Sequence, residues 1–313
     1  MKWLAKAAVQ GAISVMPRSH EINYIFQRKV TKRLPRGPED FDFHAATAAQ
    51  HVHSLRRHRP GADLGQLRLY EFGSGWDLIG AISLWALGAN DQVLVDIRPN
   101  MRIELVNHTL AQFAARHEAL EQRLGEPLRR VDGRPIADAG ELEGRFGIRY
   151  LAPLDARDTG FDAGSVDFVT STFTLEHIPA GDLADILAEI RRLLTPDGLM
   201  SSLIDLQDHY SYIDGAVSAY NFLRYSDRTW ALLNPQLQWQ SRQRYPEYLE
   251  LFRSAGLEIV AEEHLSPSEA DLRELAAMPI HPRFRAVDRS LHDLGVRSLD
   301  VVARVAGERP AVT

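Results

Sequence analysis

Four residues between positions 71 and 96 have the types and the spacing to hold a nucleoside. Glu71 ends an apolar stretch, Gly73 and Gly75 follow it one residue apart, and Asp96 ends the next apolar stretch. Glycine adopts positive φ and carries no side chain, so a turn through both glycines brings bare backbone close to a ligand. A carboxylate at the end of the second strand can accept hydrogen bonds from both hydroxyl groups of a ribose. The pattern predicts a nucleoside site between two neighbouring strands.

The spacing of the glycines distinguishes between two possible nucleoside ligands. Dinucleotide binding uses the pattern G-x-G-x-x-G, but Leu78 stands at the third glycine position and the next glycine is Gly80. The order acid-x-Gly-x-Gly resembles motif I of class I S-adenosylmethionine-dependent methyltransferases, in which the acid faces the methionine ammonium group. The resemblance implies a methyltransferase with S-adenosyl-L-methionine as its cofactor. The simpler alternative is a tight strand-to-helix turn that binds no ligand.

The resemblance covers residues 65–306. The stretch APLDARDTGFDAGSVDFVTSTFTLEHIP is similar to the next two motifs of the family, and LRRLLTPDG departs slightly from its LLKPGG turn, with Asp197 in place of a glycine. By this resemblance, Asp155 and Ala156 would contact the adenine amino group, and strand four would end beside the sulfonium. The predicted cofactor-binding residues are Glu71, Gly73, Ser74, Gly75, Trp76, Asp96, Ile97, Asp155, Ala156, Ser171 and Thr172.

The catalytic candidates follow strands four and five. Transfer of a methyl group that is already activated needs alignment and the exclusion of water, and an aliphatic hydroxyl acceptor also needs a base. His209 is the predicted base, oriented by Asp208 or Asp205, because histidine titrates near neutral pH. In the alternative, Asp208 caps a helix and His209 only packs. His177, in LEHIP, is the rival base, so the predicted catalytic residues are His209, Asp208 and His177.

No metal site is predicted. Asp205 and His209 would share a divalent ion only if their segment were helical, since residues four apart lie on one helical face. His44, His51 and His58 lie seven residues apart, which places them on one stripe of a helix. With no acid nearby, we expect that stripe to line the cleft or face the solvent instead of binding a metal. The chain has no cysteine, which excludes disulfides, thiolate catalysis and Cys-based zinc sites.

Strands and helices alternate in the order of a doubly wound sheet. The predicted fold is α/β and Rossmann-like, with about seven strands, an antiparallel C-terminal pair and a helical N-terminal extension. Strands are predicted near 67–72, 92–96, 148–152, 166–171, 199–205, 256–263 and 298–306. Helices are predicted at 40–58, 76–88, 100–124, 181–194 and 245–255, with more helix inside 208–240 and 267–294.

The chain is larger than one ordinary domain, with 313 residues of which 45% are hydrophobic. We predict a helical extension at 1–60 and a methyltransferase domain at 61–313, with a substrate-recognition insertion at about 208–244. The formal net charge of −6 argues against nucleic acid as a partner. No apolar run is long enough to span a membrane, and no segment has the form of a signal peptide, so we expect a cytoplasmic location.

The first 36 residues hold eight Lys or Arg and one acid. Apolar residues recur there at helical spacing, which is typical of a helix that lies on an anionic membrane surface. We therefore consider peripheral contact of residues 1–36 with the inner face of the membrane, or a helix that covers the cleft. The alternative is a helix packed on its own domain with a solvated basic face. The apolar residues are Trp3, Leu4, Ala8, Gly11, Ala12 and Val15.

The insertion is rich in Tyr, Trp and Asn, with Arg interspersed. Aromatic faces with polar edges suit sugar rings, although aromatic residues at helical spacing often belong to a core. The insertion also resembles that of methyltransferases linked to glycan and natural-product biosynthesis, which implies O-methylation of a sugar, glycan or other small-molecule hydroxyl. The alternatives are an N-methyltransferase and a non-catalytic cofactor-binding partner protein. A nicotinamide-dependent sugar oxidoreductase would need the missing third glycine and a Tyr-x-x-x-Lys pair, which the chain lacks.

Overall fold

The computed structural model describes residues 2–30, 33–285 and 289–307. Within these residues, seven strands form one sheet in the order β3-β2-β1-β4-β5-β7-β6. Strands β1 to β5 run parallel, and β7 runs antiparallel between β5 and β6. This confirms the predicted fold class. The strands are Arg68–Phe72 (β1), Asp91–Val95 (β2), Ile148–Leu151 (β3), Val166–Thr172 (β4), Leu194–Asp205 (β5), Leu257–His264 (β6) and Ser298–Val305 (β7).

The α-helices of the described residues are Lys2–Ser14 (α1), Ser19–Lys29 (α2), Pro38–His58 (α3), Ile79–Ala86 (α4), Ile103–Leu124 (α5), Ala139–Phe146 (α6), Ala180–Leu193 (α7), Asp227–Leu233 (α8), Tyr245–Ser254 (α9), Glu269–Ala277 (α10) and Leu291–Gly295 (α11). The helix predicted at 76–88 is shorter because Leu78, with φ 51°, breaks its first turn. Helix α6 was not predicted from the sequence; it is short, capped by Asp138 and ended by Gly147. Within the described residues, no helix has the length and apolar character needed to cross a bilayer.

Two hydrophobic cores lie on the two faces of the sheet. Parallel strands are covered on both faces, so their residues are mostly apolar. One core contains Phe41 and Leu55 of α3 together with residues of α4 and α5. The other contains Leu187 of α7 and Phe252 of α9. Although α3 lies inside the predicted 1–60 extension, it packs directly on the sheet.

A third core joins the N-terminus to the insertion. Trp3 of α1 packs against Tyr210, with ring centroids 5.1 Å apart, and Phe222 and Trp230 belong to the same cluster. The helix α1 is therefore packed on its own domain, as in the alternative stated above for this segment. Membrane contact of residues 1–36 stays a prediction, and Met1 and residues 31–32 of that segment lie outside the described residues, as does the end of the 61–313 domain at 308–313.

Candidate functional site

The carboxyl ends of β1, β2, β4 and β5 meet at one edge of the sheet, where open α/β sheets bind ligands. The turn after β1 requires glycine at Gly73, which has φ 73° and lies so close to the loop after β4 that a Cβ would be 2.5 Å from Cγ2 of Thr174. At Gly75, with φ 78°, an added Cβ would meet no atom within 4 Å. The turn thus leaves open space over its backbone. We call the ends of β1 and β2 the cofactor half of the cleft.

Glu71 is a buried carboxyl group in this half, with 8% of its surface exposed. Its Oε2 atom has no hydrogen-bond partner within the described residues. Burial, with a further contribution from the charge of Asp96, raises the pKa of Glu71 to about 8. A buried acid without a compensating donor is suited to receive a cationic group of a ligand.

Asp96 lies at the end of β2 and is held by its neighbours. The hydroxyl of Tyr150 donates to Oδ2 of Asp96 at 2.8 Å, and the hydroxyl of Ser74 donates to the same atom at 3.4 Å. Burial raises the pKa of Asp96 to about 7, even though these hydrogen bonds act in the opposite direction. Sequence reasoning missed Tyr150, because its contact with Asp96 depends on the pairing of β2 with β3.

The remaining residues of the cofactor half form its rim. Ile97 is 59% exposed directly after Asp96 and offers an apolar surface there. Trp76 is half-buried and packs edge-on against Tyr24 of α2, with centroids 5.3 Å apart. Arg36 forms an ion pair with Asp77 at 2.7 Å. The segment that contains α2 therefore lies against the loop that follows β1.

Asp155 and Ala156 lie on the loop after β3, which packs against β2 through a hydrogen bond from Leu154 N to Asp96 O at 2.9 Å. Both carboxylate oxygens of Asp155 accept from the guanidinium of Arg157, which lowers the pKa of Asp155. Ala156 is buried. A ligand amino group at Asp155 would share the carboxylate with Arg157.

The end of β4 differs from the expectation for Ser171 and Thr172. Ser171 is fully buried, so the structure does not bring its side chain to the wall of the cleft. Thr172 points to the other face of the sheet, as alternation along a strand requires. There its Oγ1 atom lies 2.9 Å from Nε2 of His51. Phe173 follows, with φ 51°, and turns the chain into the loop that contacts Gly73.

The acceptor half of the cleft, which we define as Glu176, His177, Asp205 and His209, lies at the ends of β4 and β5. Nε2 of His209 lies 3.1 Å from Oδ2 of Asp205, with both side chains mostly buried. The hydroxyl of Tyr212 donates to the same carboxylate oxygen at 2.7 Å. Burial acts to raise the pKa of Asp205, but contact with His209 and the other hydrogen bonds outweigh it, so that the pKa lies below its usual value.

Asp208 does not orient His209. Its Oδ1 atom accepts from the backbone N–H of Tyr210 at 2.9 Å, and Oδ2 accepts from the side chain of Asn221 at 3.0 Å. The residue is fully buried, and burial raises its pKa to about 6. Of the two predicted orienting acids, Asp205 contacts His209, whereas the side chain of Asp208 stabilises the turn that leads into Tyr210.

His177 approaches His209, with ring centroids 5.0 Å apart. Nδ1 of His177 donates to the carbonyl of Trp239 at 2.7 Å, since a carbonyl can only accept. Part of His177 reaches solvent, but the protein around its ring and the neighbouring His209 lower its pKa to about 4. Glu176, which sequence reasoning did not single out, is 1% exposed, and burial raises its pKa well above the usual value. Its only signal in the sequence is its place beside His177.

A family model described as a methyltransferase domain matches residues 28–262. The chain belongs to this family. It is therefore a methyltransferase, and its cofactor is S-adenosyl-L-methionine. A comparison with curated proteins found no match.

Solved structures with a similar fold include the PH0226 protein from Pyrococcus horikoshii, with a TM-score of 0.46, 12% identity and coverage of 90% of this chain and 98% of that one. A SAM-dependent methyltransferase from Leishmania major has a TM-score of 0.45 and 10% identity, covering 96% of this chain and 83% of that one. The [4+2]-cyclase SpnF has a TM-score of 0.43 and 15% identity, covering 82% and 81% of the two chains.

The histidine stripe of α3 has a different role in the methyltransferase from the one we expected. His51 neither lines the cleft nor faces the solvent; it is buried, with Nδ1 2.8 Å from Oγ of Ser201 and Nε2 bound to Thr172. Burial lowers the pKa of His51 to about 3, so the ring is neutral. The side chain ties α3 to β4 and β5 beside the site. His44 and His58 are half-buried at the helix surface.

Proposed function

We propose that this methyltransferase transfers a methyl group to a hydroxyl of a sugar, glycan or other small molecule. The observation that carries the proposal is the Asp205–His209 contact of 3.1 Å at the end of β5, beside the cofactor half. A neutral aliphatic hydroxyl needs a proton acceptor as the new bond forms, and a histidine oriented by a carboxylate is suited to that task.

The cofactor half fits S-adenosylmethionine. The unpartnered, buried Oε2 of Glu71 would receive the methionine ammonium, and the carboxylate of Asp96 would accept hydrogen bonds from the ribose hydroxyls. The open backbone at Ser74 and Gly75 would lie along the ligand. Exposed Ile97 would pack on the adenine. The other predicted cofactor contacts remain part of this proposal, apart from the side chains of Ser171 and Thr172.

The cofactor supplies a methyl group that is already activated as a sulfonium, so this chain's residues have to align the acceptor and remove its proton. Asp205 faces Nε2 of His209 and stabilises the charged ring. Nδ1 of His209 would accept the hydroxyl proton as the acceptor oxygen bonds to the methyl carbon and the carbon–sulfur bond breaks, with S-adenosylhomocysteine as the leaving group. The backbone N–H of His209 donates to Oε1 of Gln240 at 3.1 Å, which holds the base against the insertion.

Exposed aromatic rings beside the base support a sugar-like acceptor. Tyr212 is 54% exposed, and its ring centroid lies 5.7 Å from that of His209. Phe43, also exposed, stacks on Phe173 at the end of β4, with centroids 5.6 Å apart. Aromatic faces of this kind stack on the apolar faces of sugar rings while polar groups bind their hydroxyls.

The test replaces His209 with Ala and compares it with the His177→Ala variant. We expect His209→Ala to bind S-adenosylhomocysteine normally and to lose methyl transfer to a hydroxyl acceptor by roughly 10²–10⁴-fold. Calorimetry measures the first quantity, and release of S-adenosylhomocysteine measures the second. Loss in His177→Ala alone would identify His177 as the base. Normal turnover in both variants would contradict a base-dependent hydroxyl acceptor and favour an amine.

We propose in addition that α1 contacts an anionic membrane surface from the cytoplasmic side. The outward face of α1 and the turn after it expose Leu4, Val9 and Val15, with Val15 at 85% exposure. Arg18 and Arg28 expose much of their side chains nearby in the chain. Apolar side chains bordered by cations bind such surfaces by insertion and by charge attraction.

A further inference from the structure

We propose that Glu176, His177 and His209 bind one divalent transition-metal ion of the zinc type in the acceptor half of the cleft. Each of the three residues offers a ligand atom, and these atoms lie within 4.8 Å of one another. Imidazole nitrogens and a carboxylate are the ligands of catalytic zinc sites that combine two histidines with one glutamate. No metal was predicted from the sequence, where only Asp205 with His209 and the histidine stripe on α3 stood out as possible ligands.

The first support is the state of Glu176. The residue is 1% exposed, and neither carboxylate oxygen has a hydrogen-bond partner within the described residues. Burying a carboxyl group without partners is costly, and a cation bound between its oxygens and the two rings would remove that cost. Its backbone carbonyl accepts from Ser241 N at 2.7 Å, which fixes the position of the residue.

The second support is the way in which both histidines are held. Nδ1 of His177 donates to the carbonyl of Trp239, and Nε2 of His209 lies against the carboxylate of Asp205. The ring of His177 is therefore hydrogen-bonded through Nδ1, whereas the ring of His209 faces the Asp205 carboxylate through Nε2 without a hydrogen bond of good geometry. The other nitrogen of each ring is the proposed ligand. Histidines that bind metals are commonly oriented in this way, by a backbone carbonyl or a carboxylate on the opposite ring nitrogen.

The separation of the ligand atoms determines how far the three side chains must move when the ion binds. Zinc lies about 2.0–2.2 Å from nitrogen and carboxylate ligands, so ligand atoms around it are about 3.4 Å apart in a tetrahedron. The three side chains would close by about 1 Å through small rotations about their side-chain bonds. Three protein ligands leave one position of the tetrahedron open, as in catalytic zinc sites.

The functional consequence rests on the proposed function and changes one of its steps. With the ion bound, the acceptor hydroxyl occupies the open position and its pKa falls. The hydroxyl proton passes to solvent. His209 then acts as a ligand of the ion and no longer as the proton acceptor. The oxygen then bonds to the methyl carbon as the carbon–sulfur bond breaks, and S-adenosylhomocysteine leaves.

The test titrates zinc chloride into metal-stripped, full-length protein by calorimetry. We expect one ion per chain in the wild type and at least about 10-fold weaker binding in His177→Ala and in Glu176→Gln. Asp205→Asn leaves the three ligands in place but removes the charge beside His209, and it should weaken binding by about 10- to 100-fold. His264→Ala is the matched control, since His264 lies near Glu262 and His292 but outside the cleft, and it should bind zinc as the wild type does.

Calorimetry with S-adenosylhomocysteine shows that each variant is folded and keeps its cofactor half. Wild-type zinc affinity in both His177→Ala and Glu176→Gln, or no saturable zinc binding by the wild type, would overturn the metal site. Full hydroxyl methylation by the metal-stripped enzyme would also overturn the role given to the ion, while the proposed function would stand. Site-specific zinc binding without any hydroxyl methylation would overturn the proposed function and leave the metal site in place.

Discussion

The cofactor half and the acceptor half of the cleft both bury acids, but they are built differently. In the cofactor half, Glu71 and Asp96 stand on neighbouring strands separated by one short helix in the chain. In the acceptor half, Glu176 and Asp205 lie beside His177 and His209, which are held by contacts to Trp239 and Gln240 of the insertion. The cofactor half is therefore a local feature of the chain, whereas the acceptor half exists only when three distant segments are folded together.

The largest expected effect is the difference in methyl transfer between variants of Asp205 and of Asp208, the two acids at and after the end of β5. Asp205→Asn should lower methyl transfer by roughly 10²-fold, because the ring of His209 loses its orienting carboxylate. Asp208→Asn is the matched control. Its amide oxygen still accepts from Tyr210 N, and a flipped Asn221 amide can accept from its NH2 group, so its activity should stay near normal. Turnover with saturating cofactor measures both. A larger loss in Asp208→Asn would show that the acceptor half is organised around Asp208.

The next largest effect isolates the cofactor half. Asp96→Ala should weaken S-adenosylhomocysteine binding by about 1.5–3 kcal/mol, because charge-assisted hydrogen bonds to the ribose are lost. Asp91→Ala, at the opposite end of the same strand and paired with Arg68 at the surface, is the control and should bind normally. Calorimetry gives both affinities. Undiminished binding by Asp96→Ala, or binding of NAD in place of S-adenosylhomocysteine, would refute the assignment of this half.

A smaller effect should appear in the pH dependence of stability. Glu71 and Asp96 have pKa values raised to about 8 and about 7, so the folded chain keeps protons that the unfolded chain has released. The contribution of these two acids to the free energy of unfolding of the ligand-free protein should therefore fall as the pH rises from about 5 to about 8.

Urea denaturation at a series of pH values measures this change. Glu176, Asp208 and Asp300 also have raised pKa values and add to this decrease in every variant. The lowered pKa values of buried histidines such as His51 act in the opposite direction below about pH 6.5. The difference between wild type and Glu71→Gln is therefore the informative quantity, and the stability of Glu71→Gln should decrease less with rising pH than that of the wild type. An unchanged slope would show that Glu71 is ionised in the folded protein.

The smallest expected effect concerns the outer face of α1. Replacing Leu4, Val9 and Val15 together with Asn should reduce sedimentation with vesicles that contain phosphatidylserine, without unfolding the protein, because these side chains are exposed. Binding of the wild type should weaken with salt, which screens charge beyond about 8–10 Å. Leu232→Asn, at a residue 84% exposed on α8, is the control. Equal sedimentation of all three proteins would contradict membrane contact by α1 and leave its packing on Tyr210 as its only role.

Several features of the fold follow from the sequence because they are local. The predicted strands lie within a few residues of the observed ones, except that β5 begins earlier, at Leu194, and the helix at 76–88 lost its first turn to the positive φ of Leu78. Apolar runs of strand length and a glycine turn depend on neighbouring residues only. The acid-x-Gly-x-Gly order could therefore be recognised before the structure was known.

The roles of single side chains depended on the three-dimensional course of the chain. Asp208 and Asp205 looked equally suited to orient His209, and only the fold showed that Asp208 accepts hydrogen bonds from Tyr210 and Asn221 instead. His51 had the spacing of a surface stripe, yet the packing of α3 on β4 and β5 buried it.

The amino-acid sequence by itself determined the order of the strands and helices, the glycine turn and the acids of the cofactor half. The spacing of apolar residues, the residues of a turn and the ends of strands are all properties of short segments. The tertiary structure decided which carboxylate meets His209, that α1 packs on the insertion, and that Glu176 lies unpartnered beside two histidines. Asp205 and His209 are only four positions apart, but other contacts join residues about 30 to more than 200 positions apart in the chain, and only the packing of the whole chain decides which of many such pairs meet.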